Sequence, residues 1–575
     1  MIMAKLSDFL PTSAKEVKAR GWSELDVILF SGDAYVDHPS FGAAVIGRQL
    51  ESYGYRVAIV PQPNWRDDLR DFKKLGKPRL FFGVTGGNMD SMVNHYTANL
   101  RLRSDDAYTP AGVAGFRPDR AVTVYCQCLR SLYPDTPIIV GGIEASLRRM
   151  AHYDYWSNSL KPSILADCGA DLLVYGMGEK PIVEIAKAVH NGFNIKTLRK
   201  LRQVAFLADK KYVDSIEEEK ILLHSYEECL KDKTKYAENF RRFEIESNKM
   251  EAATLIEPTG DKYLVINPQH PPMSESEIDS SFDLPYTRLP HPRYAGKAIP
   301  AYDMIKFSVN LHRGCFGGCS FCTISAHQGK FISSRSERSI MNEIEFITQM
   351  EEFRGNLSDL GGPSANMYKM GGKDKSFCEK CSRPSCIFPA ICKNLEHNHN
   401  HLIALYDKVR KVNGIRHAYI GSGIRYDMFI NEPEGENYLR EVVKYHTSGR
   451  LKVAPEHTES VVLKLMRKPD FSLFEKLHER FHSLCRKENL KYQLVPYCIS
   501  SHPGCTENDM KSLSRKMGRL NVFLEQIQDF TPTPMTLSSA IYYTGINPYT
   551  GEKVFVARDQ EAKRRQKSYF FKKGK

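Results

Sequence analysis

The chain is 575 residues long and lacks any uncharged apolar run of 18 residues, the length a membrane-spanning helix needs. Its first ten residues, Met1 to Leu10, carry no sustained apolar core and no small-residue cleavage site, so a secretory leader is not expected. No G-x-G-x-x-G run follows the first strand-like segment, which removes support for a dinucleotide site. No internal repeat, long low-complexity tract or sequence-reading nucleic-acid module is visible. What remains is a chain of ordinary hydropathy (42% apolar residues), too long for a single core and expected to divide into several domains at a cytoplasmic location without membrane association.

Cysteine, by contrast, is present and unevenly placed. There are fourteen, and seven of them fall between Cys315 and Cys392. In a reducing compartment such grouping points to metal or redox chemistry before disulfides. Cys315, Cys319 and Cys322 lie in Arg313-Gly-Cys-Phe-Gly-Gly-Cys-Ser-Phe-Cys322. Three thiols with three and then two residues between them suit one compact cluster, and Gly314, Gly317 and Gly318 let the backbone wrap it. Thiolates hold iron–sulfur cubes, and three protein ligands on a four-iron cube leave one iron open for chemistry. The competing reading is a zinc site completed by His312 or His327.

The C-x3-C-x-F-C spacing, with Phe321 before the last cysteine, resembles the signature of the radical S-adenosylmethionine (SAM) superfamily. The resemblance implies a 4Fe-4S cluster, SAM as cofactor and a partial TIM-like barrel with its active site at the carboxyl ends of the strands. Strand and helix signals alternate from residue 305 to about 544, with five clear βα units, a sixth strand placed after Pro534, and a long helical stretch from Ser460 to Leu490. Gly361-Gly362-Pro363 ends the second strand and resembles the superfamily's G-G-E-P segment, which receives the SAM amino group, although the glutamate is missing. Gly421, Ser422, Gly423 and Arg425 end the third, and Arg425 suits a carboxylate. Glu456 and His457 end the fourth and His502 the fifth; these three are the candidates for substrate contact or proton transfer, with plain loop hydrogen bonding as the alternative.

Upstream, residues 26–192 alternate apolar strands and helices, as in a parallel α/β sheet, with Asp33, Asp37, His38, Gly86, Gly87, Gly141, Gly142, Glu144 and Gly176 at the strand ends. This unit looks like the Rossmann-like domain preceding many radical SAM barrels. One large group binds cobalamin there through a D-x-H-x-x-G loop; here Asp37-His38-Pro39-Ser40-Phe41-Gly42 departs from that spacing, so cobalamin is not expected. The stretch from Gly141 to Trp156 is either a substrate-shaping loop or a packing surface for the second half. The expected division is therefore a Rossmann-like domain over 1–195, a charged helical insertion and proline-rich linker over 196–300, the barrel over 301–545 with a cysteine-rich insertion at 366–400, and a basic tail over 546–575.

Cys378, Cys381, Cys386 and Cys392 form a second set within that insertion. Four thiols make a closed site, which reads as structural zinc, with an auxiliary iron–sulfur cluster as the alternative. The tail contains Lys563-Arg-Arg-Gln-Lys567, Lys572, Lys573 and Lys575 interleaved with Tyr569, Phe570 and Phe571. Its plain reading is a solvated, partly disordered end; the other is a surface for phosphates and bases. With Asp359 to Tyr368, Val453 to His457 and the Asp529–Pro534 and Tyr542–Pro548 segments, the whole chain resembles the YgiQ-type radical SAM proteins. The resemblance implies reductive SAM cleavage to a 5′-deoxyadenosyl radical, a flavodoxin- or ferredoxin-like electron donor, and a substrate it does not identify, with RNA and protein suggested by the net charge of +13. The competing function is a metal-stabilised nucleic-acid-binding protein without radical catalysis.

Overall fold

A computed structural model describes residues 4–522, 524 and 527–570. Its first half is built on one nine-stranded sheet. The strands are Val27–Ser31 (β1), Val57–Pro61 (β2), Phe81–Thr85 (β3), Ile138–Gly141 (β4), Leu172–Val174 (β5), Val204–Ala208 (β6), Lys220–Leu222 (β7), Thr254–Thr259 (β8) and Lys262–Ile266 (β9). They run in the order β2-β1-β3-β4-β5-β6-β9-β8-β7. The first five pair in parallel, and β5–β6, β6–β9 and β8–β9 are antiparallel.

The apolar strands of this sheet read as continuous runs because both faces are covered. Val27 and Leu29 enter one core with the helices Gly42–Ser52 and Glu179–His190, whereas Ile28 and Phe30 enter another with Ala121–Leu132. Val57 and Ile59 against Ala58 and Val60 repeat the alternation. A sheet buried on both sides cannot show the polar half of a two-residue period.

Residues 196–300 differ from the sequence expectation. They supply β6 to β9, four strands of the same sheet, together with the helices Lys233–Ser247 and Glu275–Phe282. Pro268, Pro271, Pro272 and Pro285 sit where the chain leaves regular structure, and Arg288 anchors that stretch by donating to the carbonyls of Lys306 and Ser308 at 3.0 and 2.9 Å.

The second half is a series of short parallel pairs. Ser308–Asn310 (β10) pairs with Asp359–Gly361 (β12), and Asn356–Leu357 (β11) with His417–Ala418 (β13). Arg450–Glu456 (β14), Gln493–Ser500 (β15) and Ile527–Asp529 (β16) form a parallel three-stranded sheet. Val309, Leu360, Ala418, Leu451 and Val453 share one core with the helices Glu337–Thr348, Asn400–Val409 and Phe471–Lys487. The last strand precedes Pro534 rather than following it; a helix, Leu537–Thr544, takes the expected place. The stretch after Ser460 is two helices, Ser460–Met466 and Phe471–Lys487, parted at Arg467, whose φ of 55° breaks the helical path.

The halves are joined by ion pairs and rings. Arg313 binds Glu179, and both Arg467 guanidinium nitrogens reach Glu244 at 2.7 and 2.9 Å. Tyr153 stacks on Tyr543 with centroids 4.9 Å apart, and Tyr155 meets Tyr542 edge-on at 5.8 Å. Within the Gly141–Trp156 stretch, Tyr153 and Tyr155 therefore pack on the second half.

Candidate metal centre at the cysteine loop

The loop follows β10 and lies between the two strands of the short antiparallel pair His312–Arg313/Ser333–Ser334. Gly314 has φ 85° and lies against the carbonyl of Phe331; Gly318 has φ 61° and lies against the carbonyl of Pro384. A Cβ at either position would collide with backbone, so both glycines are demanded by close approach as well as by dihedral angle. Burial pushes Cys315 up and Cys322 up to about 12, and the neighbouring cysteines raise both further. Thiols held so far from solvent need a cationic partner, or a metal, before they ionise.

Arg425 is the cation. Its Nη1 donates to the Sγ of Cys319 at 3.3 Å, and its Nε and Nη2 hold both oxygens of Asp427 at 3.0 and 2.6 Å. The guanidinium is buried, and its backbone N–H is fixed by the side-chain oxygen of Asn366 at 2.7 Å. Its fork is already occupied by Asp427, so its role differs from the expected capture of a free carboxylate.

The other strand ends meet around this loop. A Cβ on Gly361 would sit 3.3 Å from the hydroxyl of Ser422, and one on Gly362 would sit 2.5 Å from the His312 ring. Asp359 accepts from the N–H groups of Gly421 and Ser422 at 2.9 and 3.1 Å and from the Ser422 hydroxyl. That carboxylate orders the third strand end. Burial raises its pKa while those hydrogen bonds lower it. Gly423 has open space where a side chain would stand. Glu456 is buried at a bulge with φ 66°, and its charge is felt by Cys322 and Tyr426. Phe321 meets the His502 ring at 6.1 Å.

Two of the three expected acid–base residues are occupied elsewhere. His457 accepts from Glu459 N–H at 3.1 Å and faces the Cys505 thiol at 3.5 Å. His502 is hydrogen-bonded to Pro503 O at 2.8 Å and Ser538 Oγ at 2.7 Å. Both rings are fully buried, and burial lowers His457 to about 4 and His502 to about 3. They are loop-fixing residues. Of the three, Glu456 alone remains beside the cysteines. His312 is also spoken for, through Nε2 and the Ser364 carbonyl at 3.0 Å.

A cavity of about 520 Å³ opens between the two halves. Gly87, Gly141, Gly142 and Gly176 line it at the carboxyl ends of β3, β4 and β5, and His312, Arg313, Gly362 and Pro363 line it from the other side. The acidic residues expected there are engaged: Asp33 with Arg117 at 2.8 Å, Asp37 with Arg48, and Glu144 with the Ser91 and Val122 N–H groups at 3.0 and 2.9 Å. His38 is buried and its Nδ1 accepts from Ser40 N–H at 3.0 Å.

Sequence reasoning missed Asp359, Asp427 and Glu179. An acid two residues before Gly361 and another two after Arg425 were the available signals. The tail also differs from expectation. Gln560–Ser568 is a helix whose Lys563 and Gln566 are 2% and 1% exposed. Lys563 Nζ reaches the Tyr155 hydroxyl at 2.8 Å, Gln566 binds Ser501 N–H and Cys505 O, and Lys567 pairs with Asp529 at 2.8 Å. Phe571, Lys572, Lys573 and Lys575 lie outside the described residues.

The model of the Radical SAM N-terminal family matches residues 9–308, and a domain of unknown function matches residues 525–572. A UPF0313 protein of Bacteroides thetaiotaomicron is 57% identical, covering 99% of this chain and 94% of its own length. One from Porphyromonas gingivalis is 58% identical, covering 98% and 90%. The chain belongs to the UPF0313 family, the YgiQ-type radical SAM proteins. A UPF0313 protein from the archaeon Methanocella arvoryzae is 47% identical over 96% of this chain and 90% of its own.

Two solved structures of the radical SAM methyltransferase TsrM from Kitasatospora setae are also similar to this UPF0313 chain, at 14% identity. One, with tryptophan and the SAM analogue aza-SAM bound, has a TM-score of 0.47 and covers 89% of this chain and 75% of that one. The other, with cobalamin and a [4Fe-4S] cluster bound, has a TM-score of 0.48 and covers 89% and 74%. The expectation against cobalamin is corrected here. It rested on the spacing of one loop, Asp37 to Gly42, whereas one of these similar structures has cobalamin and a [4Fe-4S] cluster bound.

Among the described residues no helix is long and apolar enough to cross a membrane.

Proposed function

We propose that this UPF0313 chain is a radical SAM enzyme, with a Rossmann-like first domain and a partial TIM-like (β/α)6 second domain whose first strand is β10. Cys315, Cys319 and Cys322 would hold a 4Fe-4S cluster. The donor set fits: three thiols on one glycine-rich loop, with a buried guanidinium donating to one sulfur. That Arg425–Cys319 contact is the observation that carries the reading, because a hydrogen bond from a cation lowers the cost of holding negative charge in a buried cluster.

When bound, the cluster supplies one-electron reductive cleavage of SAM to a 5′-deoxyadenosyl radical. The chain's own residues bind and orient. The Gly361-Gly362-Pro363 backbone and the Gly421-Ser422-Gly423 turn, held by Asp359, would receive the cofactor's polar groups. Glu456, which faces the Lys468 ammonium at 3.9 Å, is the acidic group of the three candidates placed to meet an ammonium or a proton there, and burial raises its pKa. The cavity above would take the substrate, shielded from water by the two halves. A one-electron donor of flavodoxin or ferredoxin type completes the requirement.

The reading as a nucleic-acid-binding protein loses its main support, since Lys563 and Lys567 are committed to Tyr155 and Asp529. The reading is tested by electron paramagnetic resonance of the reduced, anaerobically reconstituted chain with and without SAM. A reduced-cluster signal that SAM perturbs, and that Cys319→Ala abolishes, is expected. A chain that binds zinc alone at this loop contradicts it.

A further inference from the structure

We propose that Cys378, Cys381, Cys386 and Cys392 hold a second iron–sulfur cluster, in place of the structural zinc that their spacing suggested. The proposal rests on the second cysteine set alone and stands or falls independently of SAM cleavage.

The four thiols line one cavity of about 480 Å³, shared with Lys330 and Arg383. A structural zinc site is a tetrahedron with Zn–S bonds of about 2.3 Å, which draws four sulfurs around a single point. Here the four cysteines line a space of about 480 Å³. Among the described residues, no three His, Cys, Asp or Glu side chains surround a position for one ion. A multi-iron cluster is the thiolate-bound group that fills a cavity while each sulfur stays on its own wall.

The wall is built for close approach to sulfur. Gly371–Gly372 pairs with Leu395–Glu396 and closes the insertion into a loop. A Cβ on Gly372 would stand 2.5 Å from the Sγ of Cys378, so the absence of a side chain there makes room for the thiol. Asn394 Nδ2 donates toward the same sulfur at 3.5 Å. Lys330, only 2% exposed, sends its ammonium to the Cys381 and Arg383 carbonyls at 3.1 and 2.8 Å and toward the Cys381 sulfur at 3.7 Å. A buried ammonium with no carboxylate partner is costly unless negative charge lies beside it. Four ionised thiolates around a bound metal group provide that charge.

This wall also packs on the first cysteine loop. The Cys386 N–H donates to the carbonyl of Phe316 at 3.0 Å, and Phe316 adjoins Cys315 in the chain. Gly318 lies against the carbonyl of Pro384. The two thiol sets are thus one hydrogen bond and one peptide unit apart.

The test uses the full chain with Cys315, Cys319 and Cys322 all changed to alanine and reconstituted anaerobically with iron, sulfide and zinc together. About four irons per chain, with a reducible cluster signal, are expected. One zinc and no iron, or a folded chain without metal, overturns the proposal. Should the triple variant fail to fold, the wild-type chain decides: about eight irons, falling to about four in a Cys378→Ser/Cys381→Ser variant, support it, and about four with one zinc overturn it.

Discussion

Arg425 divides its guanidinium between a thiol and a carboxylate: Nη1 stands 3.3 Å from Cys319 Sγ, while Nε and Nη2 clamp Asp427. One side chain thereby ties the third strand end to the cysteine loop. Arg425→Lys keeps the charge and loses the planar fork, which a point charge does not replace. The reconstituted variant should retain wild-type circular dichroism and release iron to a chelator faster than the wild type. Equal release rates would show that the contact does not support the cluster.

Asp427 is the other half of that clamp. Asp427→Ala leaves the buried Arg425 without its carboxylate, a change expected to cost about 3–5 kcal/mol of folding stability. Denaturant unfolding of the metal-free chain measures it; a loss below about 1 kcal/mol would mean that water or Cys319 suffices as partner.

Asp359 orders Gly421 and Ser422 through three acceptor contacts. Hydrogen bonds to a charged acceptor contribute about 1.5–3 kcal/mol. Asp359→Ala is therefore expected to lower stability by about that amount and to weaken SAM binding more than Ser422→Ala does. Calorimetric titration with SAM separates the two effects. Unchanged SAM affinity in Asp359→Ala would remove this turn from the cofactor site.

Glu257 lies fully buried on β8, accepting from Ala151 N–H at 3.0 Å, and burial raises its pKa from 4.5 to about 8. Between those values the folded chain holds a proton that the unfolded chain has released, so stability falls as pH rises. The contribution is complete below pH 4.5 and lost above about 8. Glu257→Gln should flatten this slope, and its melting temperature should exceed that of the wild type above pH 8. Parallel pH profiles in the two chains would contradict the burial account.

Several of these residues were invisible in the sequence for physical reasons. The runs Val27–Ser31 and Val57–Pro61 were legible as strands because two helical layers bury both faces. Thr254–Thr259 was not, since it carries Glu257 and Pro258 inside a strand and only tertiary pairing compensates. Lys563 looked solvated because a lysine's composition says nothing of the tyrosine that faces it, 408 residues away in sequence. The cysteine loop was legible at the level of ligands, since spacing and glycines are local. The use of His457 and His502 as loop anchors was not, because their partners Cys505 and Ser538 come from other segments. Asp359 and Asp427 were missed for a related reason: each works through a turn whose shape the sequence alone does not display.

The central claim, reductive cleavage of SAM at the loop of Cys315, Cys319 and Cys322, is tested most directly by measuring 5′-deoxyadenosine after incubating the reconstituted chain with SAM and dithionite under anaerobic conditions. The account predicts reductant-dependent 5′-deoxyadenosine from the wild type and none from Cys319→Ala. A fully iron-loaded wild type that leaves SAM intact, or equal product from the variant, would contradict it.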